Sequence, residues 1–367
     1  MTVHPRNVYL DYNSTSPLIP RILKEYTSIL TGFGNPSSVH LNGRRSRYLI
    51  DDCRNVLSKY LGVKPRNVIF TSGATEANAL AIDGLISVGK VSNVFCSGIE
   101  HPSVLNNIPK KNHLKVLDNG QIDLKYLEMM LKDTSSPSLV CLMYANNETG
   151  VIQPLIETVE LVHKHGGLVF SDMVQAIGKV EFDINALNLD ILSISAHKFG
   201  GPPGIGALIL REGIDINPLY YGGGQEGFKR AGTENILGIF GLKIALEEIH
   251  KNYNTKNISL LRDKFEKRIS ELRPDAIIFG NKVERLPNTT CVALEGISSE
   301  SQVIRLDLEG FAVSAGSACS SGKITPSHVL LSMGVDYELA KCAIRVSIGP
   351  ETKWTELEDF LNIWSNF

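Results

Sequence analysis

The chain predicts an α/β fold: a mainly parallel seven-stranded sheet in a large domain, with a smaller α+β domain beside it. Three observations carry this. Seven short apolar runs recur through the first two thirds of the 367 residues. Amphipathic segments of helical period lie between several of them. After about residue 250 the pattern changes to longer helices separated by isolated strands. Continuous apolar strands alternating with helices imply a parallel sheet covered on both faces.

The candidate strands are Val68–Phe70, Val94–Ser97, Leu114–Leu117, Leu139–Tyr144, Leu168–Ser171, Ile191–Ser195 and Ala207–Leu210. Among the segments between them, Ser46–Leu61 sets Leu49, Ile50, Cys53, Val56, Leu57, Tyr60 and Leu61 on one helical face. Ala77–Val88, Leu124–Leu131 and Ile156–His165 read the same way. Asn235–His250 and Ile258–Leu272 predict two long helices, followed by a strand at Thr290–Leu294, a helix at Glu300–Glu309 and a short strand at Ala312–Ser314. Helices near Ser327–Met333 and Thr355–Trp364 close the chain. The expected division is a large domain over 14–250 and a small one formed by 1–13 and 251–367, the latter carrying a mobile loop at about 314–325.

Hydrophobic content of 43% and charged content of 21% are those of an ordinary globular protein. A net charge of −2 argues against a nucleic-acid binder. No apolar stretch approaches the length that crosses a bilayer, and the first residues hold no signal-peptide core, so a cytoplasmic location is expected. The six cysteines form no CxxC pair, so zinc and iron–sulfur ligation have no local support. Cys53, Cys96, Cys141, Cys291 and Cys342 have apolar neighbours and read as packing residues.

Five segments carry chemistry, each at a predicted strand end, where open parallel sheets bind ligands. Lys198 leaves a buried strand through Ser195-Ala196-His197 into a Gly-rich turn. Burial there lowers its pKa and makes the amine a nucleophile for a carbonyl cofactor, of which pyridoxal phosphate is the usual one. Thr71-Ser72-Gly73-Ala74-Thr75-Glu76 opens a helix after a strand and offers free backbone N–H groups and hydroxyls to a phosphate. Asp172 can hold a protonated pyridine nitrogen, and Gln175 can donate to a phenolic oxygen. His101 can lie over an aromatic ring and relay protons. Asn146 and Asn147 offer amides at another strand end. Singly, each has a plain alternative: a surface lysine, a helix cap, a structural histidine, a turn. Together they converge on one edge of one sheet.

Ser314 to Lys323 is almost wholly small residues around Cys319. Such a segment buries little apolar area, so packing gives no reason for a cysteine there, while a reactive thiol does.

At this point the chain resembles the cysteine desulfurases of the NifS/IscS type, in the class-V aminotransferase group of pyridoxal-phosphate enzymes. Tyr9–Thr15, Phe33–Ser38, Thr71–Glu76, Glu100–Pro102, Ala145–Gly150, Ser171–Ala176, Ser193–Lys198, Arg230–Asn235, Gly316–Gly322, Pro326–His328 and Ile344–Ser347 carry the resemblance in order. It implies the type I pyridoxal-phosphate transferase fold and conversion of L-cysteine to L-alanine. It gives Lys198 the cofactor, Asp172 the ring nitrogen, His101 the ring face, and Gln175 and Asn147 the phenolic oxygen or substrate. Ala74, Thr75, Ser195 and His197 take the phosphate, joined by Thr233 across a homodimer. Arg345, with Asn147 and Asn35, takes the substrate carboxylate. Cys319 accepts sulfur as a persulfide for an acceptor protein such as an iron–sulfur scaffold or a sulfur carrier. Pro203, Val346 and Tyr12–Thr15 depart from the family's pattern, leaving the subgroup and acceptor open. Another class-V enzyme, a selenocysteine lyase or an aminotransferase, shares the Lys198 pocket without needing Cys319.

Overall fold

The computed structural model describes residues 7–32, 34–134, 136–316 and 325–367. Numbered along the chain, its strands are β1 Val8–Tyr9, β2 Val68–Thr71, β3 Asn93–Ser97, β4 His113–Leu114, β5 Ser138–Cys141, β6 Leu168–Asp172, β7 Ile191–Ser195, β8 Gly206–Leu210, β9 Ile277–Phe279, β10 Thr289–Ala293, β11 Phe311–Ala312, β12 Ser314–Ala315 and β13 Ala343–Ser347.

Seven of them form one sheet in the order β2-β8-β7-β6-β5-β3-β4. β3, β4, β5, β6 and β7 run parallel, while β8 is antiparallel to both β7 and β2. The reversal follows from the connection: only Ala196–Ile205 joins β7 to β8, too little for a crossover helix, so the pair closes as a hairpin. Side chains alternate across this sheet. Phe70, Phe95, Val140, Val169, Leu192, Ala207 and Ile209 face one apolar layer with helices Leu41–Leu61, Leu124–Lys132, Leu155–Lys164 and Ile236–Asn252. Ile69, Val94, Cys96, Leu139, Cys141, Phe170, Ile191 and Leu208 face the other, with Ala74–Val88. Both faces are covered, which is why the strands read as unbroken apolar runs.

A second core gathers helices Thr255–Leu272, Ser299–Leu308 and Trp354–Trp364 around Val292, Phe311, Ile344 and Val346, and includes Val8 and Leu10 from the other end of the chain. Its sheet runs β12-β13-β10-β9, and β1 pairs in parallel with β11.

Several expectations shift. The candidate strand Leu114–Leu117 is a ladder only at His113–Leu114, with Val116 in an isolated bridge to Ile122. Ladder pairing in Leu139–Tyr144 stops at Cys141, but Leu142 and Tyr144 still donate to the carbonyls of Phe170 and Asp172 at 2.9 and 3.0 Å. Ala312–Ser314 splits between β11 and β12, which belong to different sheets. Helix Pro20–Leu30 and strands β9 and β13 have no forecast among the candidate elements. β13 carries Arg345 within its apolar run, which hides it as a strand.

One backbone segment is strained. Glu226 and Phe228 have φ of 48° and 67°, in the left-handed region that residues with a side chain rarely adopt. Arg54 holds Glu226 in a fork of 2.6 and 2.8 Å bonds, and the Phe70 N–H donates to the same carboxylate at 2.9 Å. The buried carboxylate pins the turn, and Phe228 stands exposed beyond it.

Candidate active site

A cavity of about 720 Å³ lies at the edge of the large sheet, walled partly by the second core. Of the residues singled out in the sequence, Ala74, Thr75, His101, Asn147, Asp172, Gln175, Ser195, His197, Lys198 and Arg345 all line it. Asn35 does not; it is exposed, and its side chain accepts from the Ser37 N–H at 2.9 Å. Thr233 is also exposed and outside the lining. Cys319 lies outside the described residues, but Gly316 and Thr325, on either side of that segment, line the cavity.

β7 and the short 3-10 turn after it, Ala196–Lys198, deliver the lysine. Its amine donates to the carbonyl oxygens of Asn13 and Ser14, both at 2.8 Å. Burial lowers its pKa to about 8, and the Arg345 charge pushes the same way against Asp172 and Asp11. A substantial fraction of the amine is therefore neutral and nucleophilic near neutral pH.

Asp172 ends β6. One of its oxygens accepts from the Val174 N–H at 3.0 Å, the other from the Asn78 amide at 3.0 Å. Asn78, fully buried, is itself held by the Ser193 hydroxyl at 2.6 Å. His101 caps helix Pro102–Leu105 through the Ser103 N–H. Burial lowers its pKa, partly offset by Asp172. It is thus a neutral base whose Nδ1 is tied down by its own cap. His197 is pushed to about 4 by burial, then by the charge of Lys198, and its Nδ1 lies 3.0 Å from the Thr15 hydroxyl.

At one end of the cavity helix Ala74–Val88 begins, and an N-terminal turn presents unpaired N–H groups and the positive end of the helix dipole. Gly206 makes room for it: a Cβ there would lie 2.8 Å from Gly73 Cα and 2.5 Å from the Ile194 carbonyl oxygen. Ser195 lies near this turn, its hydroxyl oxygen 3.9 Å from where a Cβ on Gly73 would stand, and His197 also lines the cavity. Glu76, in the first turn, has its charge met by Arg230 at 2.8 Å and by the Ser72 N–H at 2.7 Å. Arg345 also lines the cavity and bonds to Asp11 and Ser14 at 2.7 Å and to the Asn147 carbonyl at 3.0 Å. Its Nε is buried with no partner. An orphaned donor on a buried cation suits a ligand carboxylate.

The segment Asp11–Ser16 went without assigned roles in the sequence, yet it stitches these parts together. Ser16 bonds to the backbone of His197 and Lys198 at 2.7 and 2.8 Å. Tyr12 is seated because Gly349 has no side chain; a Cβ there would fall 2.0 Å from the ring. Asn78, Glu100, Glu148 and Lys179 were missed as well, since nothing local marks a buried polar residue whose partners are distant in sequence.

The aminotransferase class-V family profile matches residues 8–360. The chain belongs to that family. It is 38% identical over 371 residues to the cysteine desulfurase IscS of Dictyoglomus turgidum, covering 98% of this chain and 93% of the relative. It is 38% identical over 367 residues to a cysteine desulfurase of Cereibacter sphaeroides, covering 97% and 94%. A solved NifS-like protein from Rickettsia africae superposes with a TM-score of 0.90 at 34% identity, covering 98% of this chain and 99% of that one. SspA in complex with cysteine superposes with a TM-score of 0.80 at 30% identity, covering 95% and 100%. The fold is the type I pyridoxal-phosphate fold of these proteins, and the family depends on pyridoxal phosphate. The cavity fits that group: a helix N-terminus with hydroxyl donors for phosphate, a nucleophilic amine, and a carboxylate for the ring nitrogen.

Proposed function

We propose that this protein is a cysteine desulfurase that converts L-cysteine to L-alanine and leaves the sulfur as a persulfide on Cys319. The observation that carries the reading is a low-pKa lysine amine and a buried arginine lining one cavity. Lys198 is the attachment point for the cofactor and moves the substrate's α-proton. Asp172, held by Asn78 and the Val174 N–H, keeps the ring nitrogen protonated. Ala74, Thr75, Ser195 and His197 hold the phosphate, with Thr233 of a second copy. Gln175 and Asn147 serve the phenolic oxygen and substrate, and Arg345 with Asn147 the carboxylate. When bound, the ring supplies an electron sink that labilises bonds near the substrate's α-carbon.

His101, its pKa lowered by desolvation, is the base for the Cys319 thiol. The thiolate takes the substrate's sulfur: the carbon–sulfur bond breaks, a sulfur–sulfur bond forms, and the released carbon is protonated to alanine. Cys319 then presents the sulfur to an acceptor protein, an iron–sulfur scaffold or a sulfur carrier.

The proposal includes a homodimer. Val39, Leu41, Tyr48, Tyr220, Tyr221 and Phe228 are exposed apolar residues, and the exposed Thr233 lies near the last of them in sequence. It also includes the division into 14–250 and 1–13 with 251–367, supported by the two separate cores. A cytoplasmic location is supported by the free, buried thiols of Cys53, Cys96, Cys141, Cys291 and Cys342, which suit a reducing compartment. No helix among the described residues is long and apolar enough to cross a membrane.

The test is mass spectrometry after incubation with L-cysteine, which should find one added sulfur on the peptide holding Cys319. Cys319→Ser should keep the cofactor's visible absorbance and lose sulfur release, and Lys198→Ala should lose covalent cofactor attachment. Normal turnover of Cys319→Ser with dithiothreitol would defeat the reading.

A further inference from the structure

Lys179 stands out among the polar residues without an assigned role. It is 1% exposed, yet no carboxylate among the described residues contacts it. Its amine donates to the side-chain oxygens of Asn13, at 2.8 Å, and of Gln175. Burial, then the like charges of Lys198 and Arg345, push its pKa well below the ordinary lysine value. A neutral amine has two N–H groups, and two acceptors meet it, so the arrangement holds without a net charge.

The amine donates to both amide groups, which present oxygen to it; a neutral amine can also accept, so that direction rests on the partners' other bonds. Independent contacts agree for Asn13. Its Nδ2 donates to the Asn147 carbonyl at 3.1 Å and to the Thr289 hydroxyl at 2.8 Å, leaving its Oδ1 for Lys179 and for the Asn288 amide at 3.0 Å. Gln175 is then fixed in turn. Its Oε1 is taken by Lys179, and its Nε2 donates one hydrogen to the Asn13 carbonyl at 3.0 Å. The second hydrogen of Nε2 has no assigned acceptor, and Gln175 lines the cavity.

We propose that Lys179 is a positioning residue that locks the Gln175 amide so that an N–H, and not the carbonyl oxygen, faces the cofactor's phenolic oxygen. Without that lock only the Asn13 carbonyl still opposes a half-turn of the amide, which would present an acceptor to a developing phenolate. The inference rests on the cofactor assignment above and deepens it: the register runs from the Asn147 backbone through Asn13 and Lys179 to Gln175.

The readout is the pH titration of the bound cofactor's visible absorbance in the holoenzyme. A hydrogen bond to the ionised phenolic oxygen lowers the midpoint of that titration. Lys179→Met should raise the midpoint by about one pH unit, the order expected for one hydrogen bond to a charged oxygen. Gln175→Leu should raise it similarly, and the double variant no further, because Lys179 acts through Gln175. Lys179→Gln, which keeps a donor on a shorter arm, should give a smaller shift of the same sign and serves if Lys179→Met does not fold. An unshifted midpoint in Lys179→Met, or shifts that add in the double variant, would overturn the proposal. A wild-type protein without visible absorbance would instead overturn the cofactor reading beneath it.

Discussion

Replacing Glu100 with glutamine tests the electrostatics beneath the cavity. Glu100 precedes His101 and is fully buried. One of its oxygens accepts from the Ser97 hydroxyl at 2.5 Å and the Met143 N–H at 2.8 Å, and the other has no partner. No cation meets the carboxylate among its contacts, and burial pushes its pKa from 4.5 up to about 8 against those two hydrogen bonds, with Asp172 adding to the rise. Between these values the folded chain keeps a proton that the unfolded chain releases. The stability this group contributes is whole below pH 4.5 and is lost as pH rises through about 8. At about 1.36 kcal/mol per pKa unit the ceiling on that loss is roughly 5 kcal/mol. Relaxation and water entry on ionisation bring the expected loss to about 2–3 kcal/mol. Glutamine keeps the acceptor for Ser97 and Met143 and cannot ionise. Its NH2 replaces a carboxylic hydroxyl that also lacks an acceptor. Urea denaturation should therefore find the two proteins within about 1 kcal/mol near pH 5 and Glu100→Gln more stable by about 2–3 kcal/mol above pH 8. Glu148, pushed up to about 7 by burial, changes stability in the same direction in both proteins and cancels in the difference. Parallel pH profiles would refute the argument.

Three further outcomes are expected. Arg345→Lys keeps a charge but loses the guanidinium fork, so KM for L-cysteine should rise about 10- to 100-fold in steady-state assays. Gly206→Ala forces a Cβ against Gly73, so titration of the apoprotein with pyridoxal phosphate should show about tenfold weaker binding or worse. Arg54→Met leaves the Glu226 carboxylate buried and unpaired, and chemical denaturation should show a loss of about 3–5 kcal/mol.

The large sheet was legible because its strands are covered on both faces, and continuous apolar runs such as Ile191–Ser195 announce that. The cavity was legible for the same reason: Lys198, Asp172, His101 and Asn147 all follow predicted strand ends. Roles tied to a motif could be assigned from the chain alone, but not what holds each group. Asn78 supports Asp172 from a helix face where it reads as an ordinary polar residue. Lys179 sits in a turn that sequence would leave to solvent. The second domain was harder, because β9, β11 and β12 span only two or three residues each and gain their identity from pairing with distant strands.

The clasp between Asp11 and Arg345 joins groups 334 positions apart, and Asn13 meets Asn288 across 275. A ribosome emits the amino end first, so Asp11 must wait for Arg345, and Asn13 for Asn288, until those later positions have emerged. A chain that stops short of Arg345 thus lacks a finished pocket, and reactive sulfur chemistry is withheld until that residue has emerged.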